Sequence, residues 1–256
     1  MVRIQVVSDL HIDHRGEFEA PSESITPSAE YLLMVGDTCS IYNIGILYNY
    51  LLNLSDKYKK IFFIPGNHEF YITRNEAKHR ISVLRKSLQF ISDNIENVII
   101  LDRSTVDIGN DYVLAGCTLW SKFDDKEELP PHFKIHKMSA ELYNKFNERD
   151  IGFIKKTMLE CRDNGKKLIL ATHYPPTKKF NNDNPNYKPE YPSLYGNDLD
   201  SFIIEKNVHT WIFGHNHGIL QKNLDINING TRVVTNQKGR GYNSMKDYSK
   251  TKRLCF

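Results

Sequence analysis

Cysteine is scarce in this 256-residue chain: Cys39, Cys117, Cys161 and Cys255 stand far apart and form no CxxC pair. That argues against a disulfide framework or a thiolate zinc site and fits reduced thiols in a cytoplasmic protein. Long hydrophobic runs are absent; none approaches the roughly 18 residues of a membrane span. The opening MVRIQVVSDL has only a short apolar run, broken by Gln5 and closed by Ser8 and Asp9. It reads as a first strand and not as a signal peptide. An excess of one charge is missing too. The formal net charge is +3, too slight to argue for nucleic acid by itself. There is no internal repeat and no linker, so one domain over residues 1–256 is expected. What the chain does have is 40% hydrophobic and 25% charged residues, the balance of a packed α/β protein.

Short β-rich runs fall at Val2 to Val7, Tyr31 to Val35, Lys60 to Ile64, Asn97 to Leu101, Tyr112 to Ala115, Lys167 to Ala171, Val208 to Phe213 and Thr231 to Thr235. Helical patterns lie between several of them, at Ile44 to Leu54, Asn75 to Ile91 and Ala140 to Cys161. The last stops before Asp163-Asn164-Gly165, a helix-end signal. Early alternation of strand and helix argues for an α/β sheet. The later strands lie closer together, with Gly109, Gly218 and Gly230 between them, and argue for antiparallel hairpins. Two sheets forming a sandwich flanked by helices fit the mixture. Two irregular stretches remain, Lys122 to Met138 and the proline-rich Pro175 to Gly196; the second is expected to act as a lid.

The chemistry collects just after the strands. Asp9 and His11 follow the first, Asp37 the second, Asn67, His68 and Glu69 the third. His173 follows the Lys167 run, and His215 and His217 the Val208 run. Carboxyl ends of strands are where sites form in α/β sheets. Residues two apart on an extended segment share a face, which pairs Asp9 with His11 and His215 with His217. A lone Asp-x-His or Gly-Asp is ordinary turn chemistry. Five strand ends bearing only metal-capable side chains are not. The donor set is imidazole, carboxylate and amide oxygen, which suits Mn, Fe, Zn or Mg. Seven donors exceed the needs of one ion; two ions sharing a carboxylate account for them.

In order and spacing, Asp9-Leu10-His11, Gly36-Asp37, Gly66-Asn67-His68-Glu69, His173 and Gly214-His215-Asn216-His217 resemble the calcineurin-like metallophosphoesterases. The segments SDLH, GNHEFY, GCTLW and NQKGRGY are similar to a bacterial-type subgroup of phosphohydrolases. The resemblance implies a two-sheet sandwich and two divalent ions as cofactors. One ion would be held by Asp9, His11, Asp37 and His217, the other by Asp37, Asn67, His173 and His215. It further implies that His68 is catalytic, facing the phosphate and binding no metal. The protein phosphatases of the family carry Gly-Asp-x-x-Asp-Arg-Gly, whereas this chain has Ser40, Ile41 and Tyr42 at the last three places. The usual partner of the catalytic histidine and the usual phosphate-gripping arginine are therefore missing, and the orienter of His68 is open.

The expected function is hydrolysis of a phosphate mono- or diester by water or hydroxide held between the ions, on a small phosphorylated substrate and away from membranes. Glu69 is expected to point away from the phosphate, by alternation along the segment. Lys238 and Arg240, in KGRG, are candidate substrate-binding residues. His14, His79, His132, His136 and His209 are read as surface or packing residues. A nuclease or cyclic-nucleotide phosphodiesterase is the alternative reading, with Tyr174, Tyr187, Tyr191 and Tyr195 as stacking candidates. A non-catalytic scaffold is a third, opposed by the full donor set and His68.

Overall fold

The computed structural model describes residues 1–14, 18–73, 78–124, 129–131, 133–183, 191–204 and 208–256. In chain order its elements are β1 (Arg3–Val7), α1 (Pro21–Ser24), β2 (Tyr31–Val35), α2 (Ile44–Ser55), β3 (Lys60–Ile64), α3 (Ile81–Asn94), β4 (Val98–Ile100), β5 (Ser104–Ile108) and β6 (Tyr112–Cys117). There follow α4 (Ala140–Asp163), β7 (Lys167–Thr172), α5 (Asp200–Ile204), β8 (Thr210–Phe213), β9 (Asp225–Ile228), β10 (Thr231–Thr235) and β11 (Arg253–Cys255). The strands form two sheets, ordered β11-β1-β2-β3-β4 and β5-β6-β7-β8-β10-β9.

The segment YLLMV of β2 shows why the strands read as unbroken apolar runs. Leu33 and Val35 point into the sandwich, against Ile169, Ala171, Ile212 and Val234 of the other sheet. Leu32 and Met34 point outward, against Leu47 and Leu51 of α2 and Leu84 and Leu88 of α3. Both faces are covered, so alternation of side does not appear as alternation of polarity. Each such buried side chain contributes on the order of 1.5–3 kcal/mol. The second sheet is covered in the same way: Ile154 and Met158 of α4 and Ile203 of α5 pack on Leu168, Leu170 and Trp211.

Helix α4 begins where Ser139 accepts a hydrogen bond from the Leu142 N–H, an N-cap. The expected helix over Asn75 to Ile91 starts later, at Ile81. Residue 79 is held outside it, because the Tyr42 hydroxyl accepts the His79 N–H and the two rings stack. Residues 74–77 lie outside the described ones.

Three strands have no counterpart in the sequence reading: β5, β9 and β11. All three lie at sheet edges. Their alternating or polar composition (STVDI, DINI, RLC) gives no apolar run to find. Hairpins do form at Gly109, joining β5 to β6, and at Gly230, joining β9 to β10. The other neighbours, β6-β7, β7-β8 and β8-β10, are parallel, which corrects the expectation of antiparallel pairing there. The parallel arrangement matters for function, because it aims the carboxyl ends of both sheets at one end of the sandwich. Among the described residues no helix is long and apolar enough to cross a membrane. All four cysteines are free, three of them buried.

Candidate metal centre

The segments after β1, β2, β3, β7 and β8 meet at that end. Asp9, His11, Asp37 and His215 all have positive φ, at 56°, 45°, 53° and 76°. A non-glycine residue in that region costs on the order of 1–2 kcal/mol, and such strain concentrates at functional sites. Cross-links hold it. The Asp9 N–H donates to the Gly36 carbonyl at 3.0 Å and the His11 N–H to the Asp37 carbonyl at 3.0 Å, so β1 and β2 stay joined beyond their ends. The His215 N–H donates to both Asp9 oxygens, at 3.0 and 3.1 Å, tying one sheet to the other. Gly66 has no room for a side chain: a Cβ there would come within 2.2 Å of Asp37 Oδ1.

The histidine rings declare which nitrogen is free. A carbonyl oxygen can only accept, so a ring nitrogen facing one carries the hydrogen. His173 Nδ1 faces the Val35 carbonyl at 3.0 Å, His215 Nε2 the Leu194 carbonyl at 2.8 Å, and His217 Nδ1 the Asn243 carbonyl at 3.3 Å. The opposite nitrogens converge. His173 Nε2 lies 3.0 Å from Asn67 Oδ1 and 3.2 Å from Asp37 Oδ1. His215 Nδ1 lies 3.1 Å from Asn67 Oδ1 and 3.3 Å from His173 Nε2. On the other side of Asp37, His11 Nε2 lies 3.1 Å from His217 Nε2 and 3.9 Å from Asp37 Oδ2, and His217 Nε2 is 3.9 Å from Asp9 Oδ1. Lone pairs pointing at lone pairs repel unless a positive charge sits among them. The donor set therefore fits divalent cations, with the outer nitrogens of His173, His215 and His217 already fixed by backbone carbonyls.

These atoms form the groups Asp9-His11-His217 and Asp37-His173-His215, with ligand atoms within 4.8 Å of one another. A third group of the same tightness is His11-Asp37-His68. The structure thus brings together all seven expected ligands and His68 as well.

Electrostatics agree with a site built to be neutralised. Burial lowers His173, but the adjacent Asp37 carboxylate raises the ring to about 9, so a proton on Nε2 can itself supply the positive charge among these donors, one that an ion would displace. Burial lowers His215 to about 3 and His68 to about 4. Burial likewise raises Asp9, although His217 and His173 oppose it.

Glu69 is turned into the protein, to a destination that was not foreseen. It is fully buried. Its Oε2 accepts the N–H groups of Asp37 at 2.9 Å and Gly66 at 2.6 Å. Its Oε1 accepts those of Thr38 at 2.6 Å and Cys39 at 3.2 Å. Burial and the Asp37 charge push this carboxyl up to about 7. Only the carboxylate form, however, can receive four donors at once. Glu69 is the clamp that shapes the turn presenting Asp37.

His68 is placed by its own N–H, which donates to Asp37 Oδ1 at 2.8 Å, and by its neighbours. Tyr71 lies against the ring with centroids 4.4 Å apart, and His11 meets it edge-on at 4.8 Å. Packing on Tyr71 and His11 thus holds the His68 ring, and the carboxylate that the resemblance to the protein phosphatases would put at Ser40 is not there. The segment where that carboxylate would lie is engaged otherwise. The Ser40 N–H donates to Asp13, and its hydroxyl to the Tyr71 carbonyl.

A cavity of about 770 Å³ opens over the cluster, with Asp37 and His68 in its wall beside Phe18, Tyr71, Tyr195 and Arg240. Lys238 is turned away, paired with Glu19. Tyr174 is fully buried, its ring 4.0 Å from that of His215, so it cannot stack on a substrate base. Tyr187 and His132 lie outside the described residues. His79 and His209 are packing residues, on Tyr42 and against Tyr112 and Phe256, while His14 lines the cavity. The Pro175 to Gly196 stretch is no detachable lid at its described ends. The Leu194 carbonyl fixes His215, and the Tyr195 carbonyl accepts from Asn181 and Asn216. Residues 184–190 lie outside the described ones.

Comparison with known proteins places the chain in a family and matches its fold. The family model described as calcineurin-like phosphoesterase matches residues 2–218. The uncharacterized protein L509 of Acanthamoeba polyphaga mimivirus is 25% identical over 264 residues, covering 92% of this chain and 90% of that protein. A dimetal phosphatase from Danio rerio shares the fold with a TM-score of 0.54 at 13% identity, covering 91% of this chain and 86% of that one. TT1561 of Thermus thermophilus does so with a TM-score of 0.52 at 12% identity, covering 92% and 89%.

Proposed function

The chain belongs to the calcineurin-like phosphoesterase family and is a metal-dependent phosphoester hydrolase; we propose that it cleaves a small organic phosphate ester at a two-ion site. One ion is assigned to Asp9, His11, Asp37 and His217, the other to Asp37, Asn67, His173 and His215. The observation that carries this is the convergence of ring nitrogens whose partners across the ring are fixed on backbone carbonyls. When bound, such a pair supplies a water acidic enough to attack phosphorus and neutralises charge on the phosphoryl oxygens.

The chain's own residues supply the rest. Asp37, with one oxygen toward each half of the cluster, joins the two sets. Glu69 holds the Asp37 turn, and the Leu194 and Val35 carbonyls hold the rings. His68, at 23% side-chain exposure, is open to the cavity and is assigned to the phosphate: it steadies the developing charge or passes a proton to the leaving oxygen. The cavity is far larger than a phosphate group needs, and its aromatic walls suit an organic group on the ester. With Tyr174 buried, the nuclease reading loses one of its stacking residues.

The test is turnover of nitrophenyl phosphate and bis(nitrophenyl) phosphate before and after chelation, with Mn²⁺ added back. Activity that vanishes on chelation and returns with metal is expected. No turnover of either ester with any of Mn, Fe, Zn or Mg would overturn the reading.

A further inference from the structure

A sixth strand end reaches the site, that of β10, and it carries the KGRG segment. We propose that Arg240 grips the phosphate and makes the site favour dianionic monoesters over diesters; this rests on the phosphoester reading above.

The segment is fastened to the metal cluster at both ends. The Lys238 N–H donates to the Ser8 carbonyl and the Gly239 N–H to the Asp9 carbonyl, each at 3.0 Å. The Asn243 N–H donates to the Arg240 carbonyl at 3.0 Å, and the Met245 N–H to the Lys238 carbonyl at 2.8 Å. Gly239 adopts φ 71°, and a Cβ there would come within 2.2 Å of the Asn243 oxygen and 3.0 Å of His217 Nδ1. The loop thus rests directly against a proposed metal ligand, with no space between. Its backbone also holds that ligand, through the Asn243 carbonyl on His217 Nδ1. Arg240 is therefore delivered beside the cluster by a fixed backbone.

Among the described residues its side chain is uncommitted. Lys238 is engaged by Glu19, whereas the Arg240 guanidinium makes no hydrogen bond or ion pair with any described residue. It lines the cavity together with His11, His68 and His217. The segment after Asp37 brings no cation to the cavity, and Lys134 is the other cation among its described lining residues. Ser40 is tied to Asp13 and Tyr71, and Ile41 is buried.

A guanidinium fork matches two phosphoryl oxygens at once. A monoester dianion spreads two charges over three terminal oxygens; a diester spreads one over two. Coulomb attraction scales with that charge, so Arg240 favours the monoester.

The experiment compares wild type, R240A, R240K and K238A, all loaded with Mn²⁺. Calorimetry measures binding of inorganic phosphate, and kinetics measure kcat/KM for nitrophenyl phosphate and bis(nitrophenyl) phosphate. In R240A, phosphate affinity and monoester kcat/KM should each fall about 10- to 100-fold, the usual scale of charge-assisted bonds. Diester kcat/KM should fall less than about 3-fold, with bound manganese unchanged. R240K should lie between, since it keeps the charge and loses the fork. K238A should stay within about 2-fold of wild type, its partner being Glu19. Unchanged phosphate binding in R240A, or equal losses on both esters, would overturn the proposal. If wild type turns over neither ester, the phosphoester reading falls, and phosphate binding still decides the role of Arg240.

Discussion

Replacing Glu69 by Gln tests how the fold shapes the site. The carboxylate receives four backbone N–H groups, two on each oxygen. Glutamine keeps the volume and one acceptor oxygen. Its NH₂ group must then face two N–H donors, either those of Asp37 and Gly66 or those of Thr38 and Cys39. Each bond to a charged acceptor is worth about 1.5–3 kcal/mol, so the gross loss is about 3–6 kcal/mol. Partial relaxation leaves a net cost of about 3 kcal/mol, a sizeable share of the ~5–15 kcal/mol that holds a domain together. For a chain of this size that is a fall in Tm of roughly 6–12 °C. Melting in EDTA isolates the clamp from metal binding; melting with Mn²⁺ adds the effect on Asp37. Metal affinity should fall about 10- to 100-fold, as for other groups that orient a ligand. A variant that melts within about 2 °C of wild type in EDTA and binds metal normally would refute the clamp.

Asp37→Asn should lower both metal occupancy and activity, because it removes the charge shared by the two ligand sets. His68→Ala should instead keep the metals and lower kcat by ~10²–10⁴ on esters with poor leaving groups, less on nitrophenyl esters. Loss of a metal in that variant, measured by elemental analysis, would make His68 a ligand of the His11-Asp37-His68 group. Replacing residues 177–195 by a Gly-Ser linker should reduce metal content as well as change KM. The Leu194 carbonyl that fixes His215 goes with it. Unaltered metal content would contradict that role.

The central strands and the cluster were readable because their signals are local. Apolar runs such as YLLMV and KIFFI end directly in GD or PGNH, so element and function adjoin in sequence. The polar edge strands β5, β9 and β11 were not readable, since pairing at an edge needs no apolar pattern. Glu69 was legible as a residue but not as a clamp, because its partners Asp37, Thr38 and Cys39 lie some 30 positions away. The Leu194 and Val35 carbonyls leave no trace in side-chain identity. Tyr71, three positions after His68, could have been flagged as its neighbour, and Tyr174, next to His173, was flagged but for stacking on a substrate and not for packing on the cluster. Their contacts needed coordinates to see.

The most direct test of the account is the number of divalent ions that support activity. Metal-free protein is titrated with Mn²⁺ while bound metal and turnover of nitrophenyl phosphate are followed together. Two ions per chain are expected, with activity appearing fully only at the second equivalent, as a shared Asp37 and two converging ligand sets require. Saturation at one ion, with full activity, would contradict it.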